Sequence, residues 1–152
     1  MKMPVLLLFA LVFSAFAEKP NIILVYVDDM GYGDASCLNP KSKFKTPHLD
    51  RLAREGIIFT DGHSSDTVCT PSRYGLITGR YAWRTTLKRG VMGAEGECLI
   101  ADGRVTLASF LRGQGYATAM VGKWHLGMDF PGTWEKRDWT QPVKDMPLDK
   151  GF

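Results

Sequence analysis

Three small groups of residues in this chain have the types and spacing to do chemistry. Cys69 stands two positions before Pro71, which suits a helix start, and Arg73 follows four positions later, one helical turn on and on the same face. A thiol at a helix N-terminus, with a guanidinium behind it, sits where unpaired N–H groups and the macrodipole favour an anion. The same five residues, CTPSR, also read as a buried thiol beside an ordinary helix cap. Asp28 and Asp29 are adjacent carboxylates, which repel one another unless a hard divalent cation lies between them. Followed by Met30-Gly31-Tyr32-Gly33, they equally suit a turn. Lys123 and His125 are two apart, and in an extended segment they share a side, an ammonium beside an imidazole. That pairing suits a bound oxyanion and a proton transfer, although a lone His or Lys in a loop is usually only solvated.

Elements that could position these groups alternate along the chain. Residues 21–27 (NIILVYV) form a short apolar run rich in β-branched side chains, the pattern of a strand buried on both faces. Thr46-Pro47 supplies an N-cap and first-turn proline for a helix through Glu55, with Leu49, Leu52 and Ala53 inward and Gly56 as the stop. Residues 57–60 read as a second strand. A helix from Pro71 to about Thr78 ends at Gly79, and another spans about 105–112 with Leu107, Phe110 and Leu111 inward. Residues 116–121 (YATAMV) read as a third strand, running into Gly122-Lys123-Trp124-His125-Leu126-Gly127. The order predicts an α/β sandwich with helices on both faces of a mostly parallel sheet, and ligands at the C-terminal ends of its strands. From Met128 onward the sequence has no period and reads as a surface excursion.

Composition bounds the rest. The 152 residues allow at most one domain, and 45% apolar and 23% charged residues are ordinary for a globular protein. A net charge of +3 with no long block of one sign implies no nucleic-acid surface. Lys2, the apolar run 5–16 and Ala15-Phe16-Ala17 fit a cleavable signal peptide over residues 1–17. That run is shorter than the roughly 20 residues of a membrane span, so no stable span is expected. The mature chain, 18–152, is expected to be secreted or periplasmic. In an oxidising compartment Cys37 and Cys98 could pair or stay as thiols.

Taken together, the motifs resemble the N-terminal part of a type I sulfatase, of the arylsulfatase A-like group in the alkaline phosphatase superfamily. PNIILVYVDDMGYGD resembles the family's opening strand and metal loop, and KTPHLDRLAREGIIFTDGH its next helix and strand. CTPSRYGLITGRYAWR is similar to its extended modification signature, GYATAMVGKWHLG to its later Lys/His loop. The final Lys150-Gly151-Phe152 resembles the start of a further family segment.

That resemblance implies roles. Cys69 would be oxidised to formylglycine by a formylglycine-generating enzyme, with Thr70, Pro71 and Ser72 helping that enzyme recognise the unfolded segment. As a hydrated aldehyde, residue 69 would attack the sulfur of a sulfate ester with one hydroxyl and use the other to expel sulfate. Asp28, Asp29 and residue 69 would hold calcium, in preference to magnesium. Arg73 would steady the hydrated aldehyde, Lys123 would bridge it to the sulfate, and His125 would hydrogen-bond the diol and serve as base. The implied substrate is a sulfate ester, such as an aryl sulfate or a sulfated carbohydrate. Tyr81, Trp83, Arg84, Lys88 and Arg89 would suit an aromatic, anionic sugar at the mouth of a pocket, and read equally well as helix-flanking surface. The family's downstream ligands have no counterpart in 152 residues, so the chain is expected to be an incomplete catalytic domain, inactive alone. Two alternatives remain at this level: a phosphatase, phosphodiesterase or phosphonate hydrolase of the same superfamily, or a non-catalytic module that binds sulfated glycans.

Overall fold

The computed structural model describes residues 19–93 and 96–152; the expected signal peptide lies outside them. The chain divides into two units, one ending at Gly31 and the other running from Tyr32 to Phe152. The described part of the first unit has no regular secondary structure from residue 20 to 27, followed by a bend at Asp28 and Asp29.

Three α-helices organise the second unit: α1 (Pro47–Glu55), α2 (Cys69–Thr78) and α3 (Leu107–Gly113). Short 3-10 turns cover Tyr32–Asp34, Ala82–Arg84 and Pro147–Lys150. Thr46 precedes α1 and Pro47 opens it, because the ring pre-sets a helical φ where the N–H would go unused. A polar knot anchors this end. Ser36 Oγ donates to both Asp50 carboxylate oxygens at 2.9 and 2.8 Å, and the Ser36 amide donates to Thr46 Oγ1 at 2.9 Å. The Ser36 hydroxyl, chiefly, holds the Asp50 carboxyl below the usual aspartate range. α2 ends at Gly79, whose left-handed φ of 65° lets its amide close on the Gly75 carbonyl at 2.9 Å.

α3 begins with a reciprocal cap: the Ser109 amide donates to Thr106 Oγ1 at 3.0 Å and the Thr106 amide to Ser109 Oγ at 2.9 Å. Thr106 Oγ1 in turn donates to the Lys150 carbonyl at 2.6 Å, and Thr118 Oγ1 to the Gly151 carbonyl at 2.6 Å. The 147–151 turn is thereby fastened to the start of α3 and to the segment around Thr118. Buried Lys150 binds the Asp145 carboxylate and lies 3.5 Å from Asp102.

The core is small. Tyr74 of α2, Ala82, Leu99, Ile100 and Leu126 form its buried centre, with Ile77, Leu87, Met92 and Trp124 packed around them. Because Tyr74 adjoins Arg73 and Leu126 adjoins His125, this cluster fixes the signature helix beside the Lys/His loop.

The described residues differ from the sequence reading in several places. The described residues contain no strand, only isolated antiparallel bridges between Asp129 and Lys144 and between Gly132 and Arg137. Segments 20–27, 57–60 and 116–121 lie outside any sheet, with Ile23 88% and Val121 100% exposed. An apolar run records a need for burial, but a strand also requires a neighbour to supply its ladder. The inward faces shift as well. Leu49 and Leu52 of α1 are exposed, as are Leu107 and Phe110 of α3, whereas Ala108 is buried. The Thr106–Lys150 bond and the close approach of Gly151 to the backbone of Ala108 and Ser109 choose the small face of α3. Within residues 128–146, Arg137 lies over Phe130 at 5.2 Å, and Phe130 meets Trp139 edge-on at 6.2 Å.

Candidate active site

Cys69 is the first residue of α2, half-buried, with Val68 extended as its N-cap. The chain turns helical here because Pro71 falls in the first turn, where a missing amide hydrogen costs nothing. Ser72 makes the turn rigid: its amide donates to the Val68 carbonyl at 3.2 Å, its hydroxyl to the Asp66 carbonyl at 2.7 Å. Thr70, Pro71, Ser72, Arg73 and Tyr74 are all buried, leaving Cys69 as the edge of the motif. Thr70 Oγ1 is buried and has no hydrogen-bond partner. Amide groups of this first turn and the helix dipole favour negative charge at position 69.

Arg73 joins the motif to the other polar loop. Its Nη1 donates to the Lys123 carbonyl at 2.6 Å, across fifty residues of sequence. Lys123 itself is exposed. His125 is partly buried with a left-handed φ of 56°, so the segment is not extended there and the same-side argument for Lys123 and His125 no longer applies. His125 Nε2 lies 3.0 Å from the Met92 carbonyl oxygen, and Nδ1 is buried without a partner.

Flanking residues hold the loop in this form. Trp124 Nε1 donates to the Gly127 carbonyl at 2.8 Å, and the indole meets Phe152 edge-on at 6.2 Å. Leu126 is wholly buried, and its carbonyl accepts from the Leu99 amide at 2.8 Å. Gly127, at φ 79°, passes so close to residue 97 that an added Cβ would stand 2.2 Å from the Glu97 carbonyl oxygen. The sequence pointed to Lys123 and His125, but not to Met92 or Gly127. A backbone carbonyl leaves no signature in residue type, whereas a glycine after a polar loop is at least a hint of tight backbone approach.

Asp28 and Asp29 belong to the first unit. Both are exposed, and Asp29 has φ 57°, a conformation that aspartate tolerates better than most residues. They therefore satisfy the turn reading, and their adjacent hard oxygens also fit a divalent cation of the calcium type. Among the described residues, no three His, Cys, Asp or Glu side chains gather in a metal-holding group.

None of Cys37, Cys69 and Cys98 is joined in a disulfide. Burial, offset in part by a contact with the Ile100 carbonyl, pushes the Cys98 thiol above its usual range. Cys98 is thus a poor nucleophile.

Comparison with known proteins finds relatives of one family. The sulfatase family model matches residues 20–145. N-acetylgalactosamine-6-O-sulfatase of Bacteroides thetaiotaomicron is 46% identical over 112 residues, covering 74% of this chain and 22% of that protein. Human steryl-sulfatase is 45% identical over 136 residues, 84% of this chain and 23% of the relative. Human arylsulfatase A is 44% identical over 114 residues, 75% and 22% of the respective chains. A solved structure from work on glycosaminoglycan metabolism by Bacteroides thetaiotaomicron superposes with a TM-score of 0.77 at 41% identity, covering 88% of this chain and 27% of that one. The chain spans about a fifth of the length of the curated relatives it matches.

Proposed function

The chain belongs to the sulfatase family, and from that premise we propose that it carries the nucleophile-bearing part of a sulfuric ester hydrolase. The observation that carries the reading is the 2.6 Å bond from Arg73 Nη1 to the Lys123 carbonyl, which unites the CTPSR helix with the GKWHLG loop. Two motifs fifty residues apart converge on one place, and each holds groups suited to an anionic ester.

The proposed cofactors are a formylglycine formed from Cys69 and a calcium ion held by Asp28 and Asp29. Formylglycine at position 69 would supply nucleophilic hydroxyl chemistry toward sulfur, and a cation held by Asp28 and Asp29 would supply positive charge for the sulfate oxygens. The amides at the start of α2 stabilise negative charge at position 69. Arg73 contributes positive charge from behind, and its tie to Lys123 keeps that loop against the helix. Lys123 offers an exposed ammonium to the sulfate, and His125 offers a ring nitrogen as proton acceptor.

Within the longer protein, segments 20–27, 57–60 and 116–121 are proposed as strands of a mostly parallel sheet. The substrate is proposed to be a sulfate ester of a carbohydrate. Tyr81 and Trp83 stack at 5.8 Å and are both about half exposed, with Arg84 next in sequence as a charge for an anionic sugar. The signal-peptide reading of residues 1–17 places maturation and activity outside the cytoplasm, and no described helix is long and apolar enough to cross a membrane.

The test is co-expression with a formylglycine-generating enzyme, followed by peptide mass spectrometry on Cys69. A known sulfatase in the same host serves as the control. Aldehyde or its hydrate supports the reading; persistent thiol beside a converted control overturns it. Rates of the whole protein on matched sulfate and phosphate esters then separate a sulfatase from a phosphatase relative.

A further inference from the structure

We propose that Met92 is a positioning residue for His125: its backbone carbonyl holds the imidazole in the Nε2–H tautomer and so makes Nδ1 the proton-accepting atom. The inference deepens the role proposed for His125 above. A carbonyl oxygen can only accept, so the 3.0 Å approach of Nε2 to Met92 O is attractive only when Nε2 carries the hydrogen. The opposite tautomer sets a ring lone pair against carbonyl lone pairs. In the neutral ring with hydrogen on Nε2, the remaining lone pair lies on Nδ1, and that atom is buried with no protein partner.

Ring orientation is fixed from both sides. His125 sits at φ 56°, a conformation that persists only where neighbours impose it. Those neighbours are Leu126, wholly buried, and Lys123, whose carbonyl is bound by Arg73. On the other side, Met92 packs against the core formed by Tyr74, Leu99, Ile100 and Leu126. The segment around Met92 is therefore anchored by its own side chain, while its carbonyl addresses the histidine. This division of labour assigns position 92 a function through its backbone and a structural place through its side chain.

The experiment is nitrogen-15 NMR of the 152-residue chain labelled in its histidine rings. Only His48, His63 and His125 contribute signals. His48 and His63 are exposed, and His48→Gln and His63→Gln assign the third ring by elimination. In the neutral form, His125 is expected to show a protonated, pyrrole-type Nε2 and an unprotonated, pyridine-type Nδ1, with the Nε2 proton in contact with Met92. Predominant protonation at Nδ1, or the even exchange of a solvated ring, overturns the proposal. The readout does not depend on Cys69 chemistry. A persistent thiol at Cys69 with the Nε2–H tautomer intact defeats the functional reading alone, and the reverse pattern defeats the inference alone.

Discussion

Arg73 donates from Nη1 to the carbonyl oxygen of Lys123 at 2.6 Å, so the guanidinium of the signature helix grips the backbone of a loop rather than its side chain. Removing it leaves the acceptor of this part-buried bond without its charged donor. Arg73→Ala is expected to lower unfolding free energy by about 2 kcal/mol, read by urea denaturation. Arg73→Lys should recover only part of this, because an ammonium lacks the planar fork. Equal stability of both variants with the parent would contradict a structural share for this bond.

Gly127→Ala tests the tight passage behind His125. The new methyl meets the Glu97 carbonyl at 2.2 Å, and alanine disfavours φ 79°. Strain and overlap together should destabilise the chain by about 3 kcal/mol, checked by thermal and urea unfolding. A variant as stable as the parent would show that segments 96–98 and 126–128 part easily.

Burial of Thr70, Pro71, Ser72 and Arg73 bears on when Cys69 can be modified. An enzyme that reads the motif cannot reach those side chains in the folded chain. Folded chain incubated with a formylglycine-generating enzyme should keep its thiol, whereas the same chain presented unfolded should be converted, both followed by peptide mass spectrometry. Equal conversion of the two would mean that α2 opens readily.

The Lys150–Asp145 pair gives a pH dependence with a definite sign. Its hydrogen bond to Lys150, chiefly, holds the Asp145 carboxyl below its usual range. Burial pulls Lys150 down, but the bond to Asp145 and nearby negative charge outweigh it and leave the ammonium above its usual range. Stabilisation is therefore full between the ordinary aspartate and lysine pKa values. It fades as pH falls through the lowered Asp145 value, or rises through the raised Lys150 value. Asp145→Asn should cost about 1–2 kcal/mol at neutral pH, and the difference from the parent should vanish in strong acid. Urea midpoints across pH measure both.

Local signals were legible wherever one residue decides the backbone. Thr46-Pro47 marked the start of α1, and Gly56 and Gly79 marked where α1 and α2 stop. Two motifs singled out by residue type, the signature helix and the Lys/His loop, meet through the bond from Arg73 to the Lys123 carbonyl. Facing was not legible. Leu107 and Phe110 have the spacing of a core stripe, yet Thr106 and Gly151 turn α3 so that Ala108 is inside. Long-range hydrogen bonds of this kind leave no periodic trace. The three apolar runs announced strands, but pairing depends on partners that no local pattern contains.

Those runs have a consequence for handling the chain. Segments 20–27 and 57–60 combine β-branched and aromatic side chains with few charges, and both lie uncovered by any sheet. Such stretches template one another across molecules. Light scattering should therefore climb steeply with protein concentration, and thioflavin fluorescence with it. A lysine replacing Ile23 should delay both without touching the core.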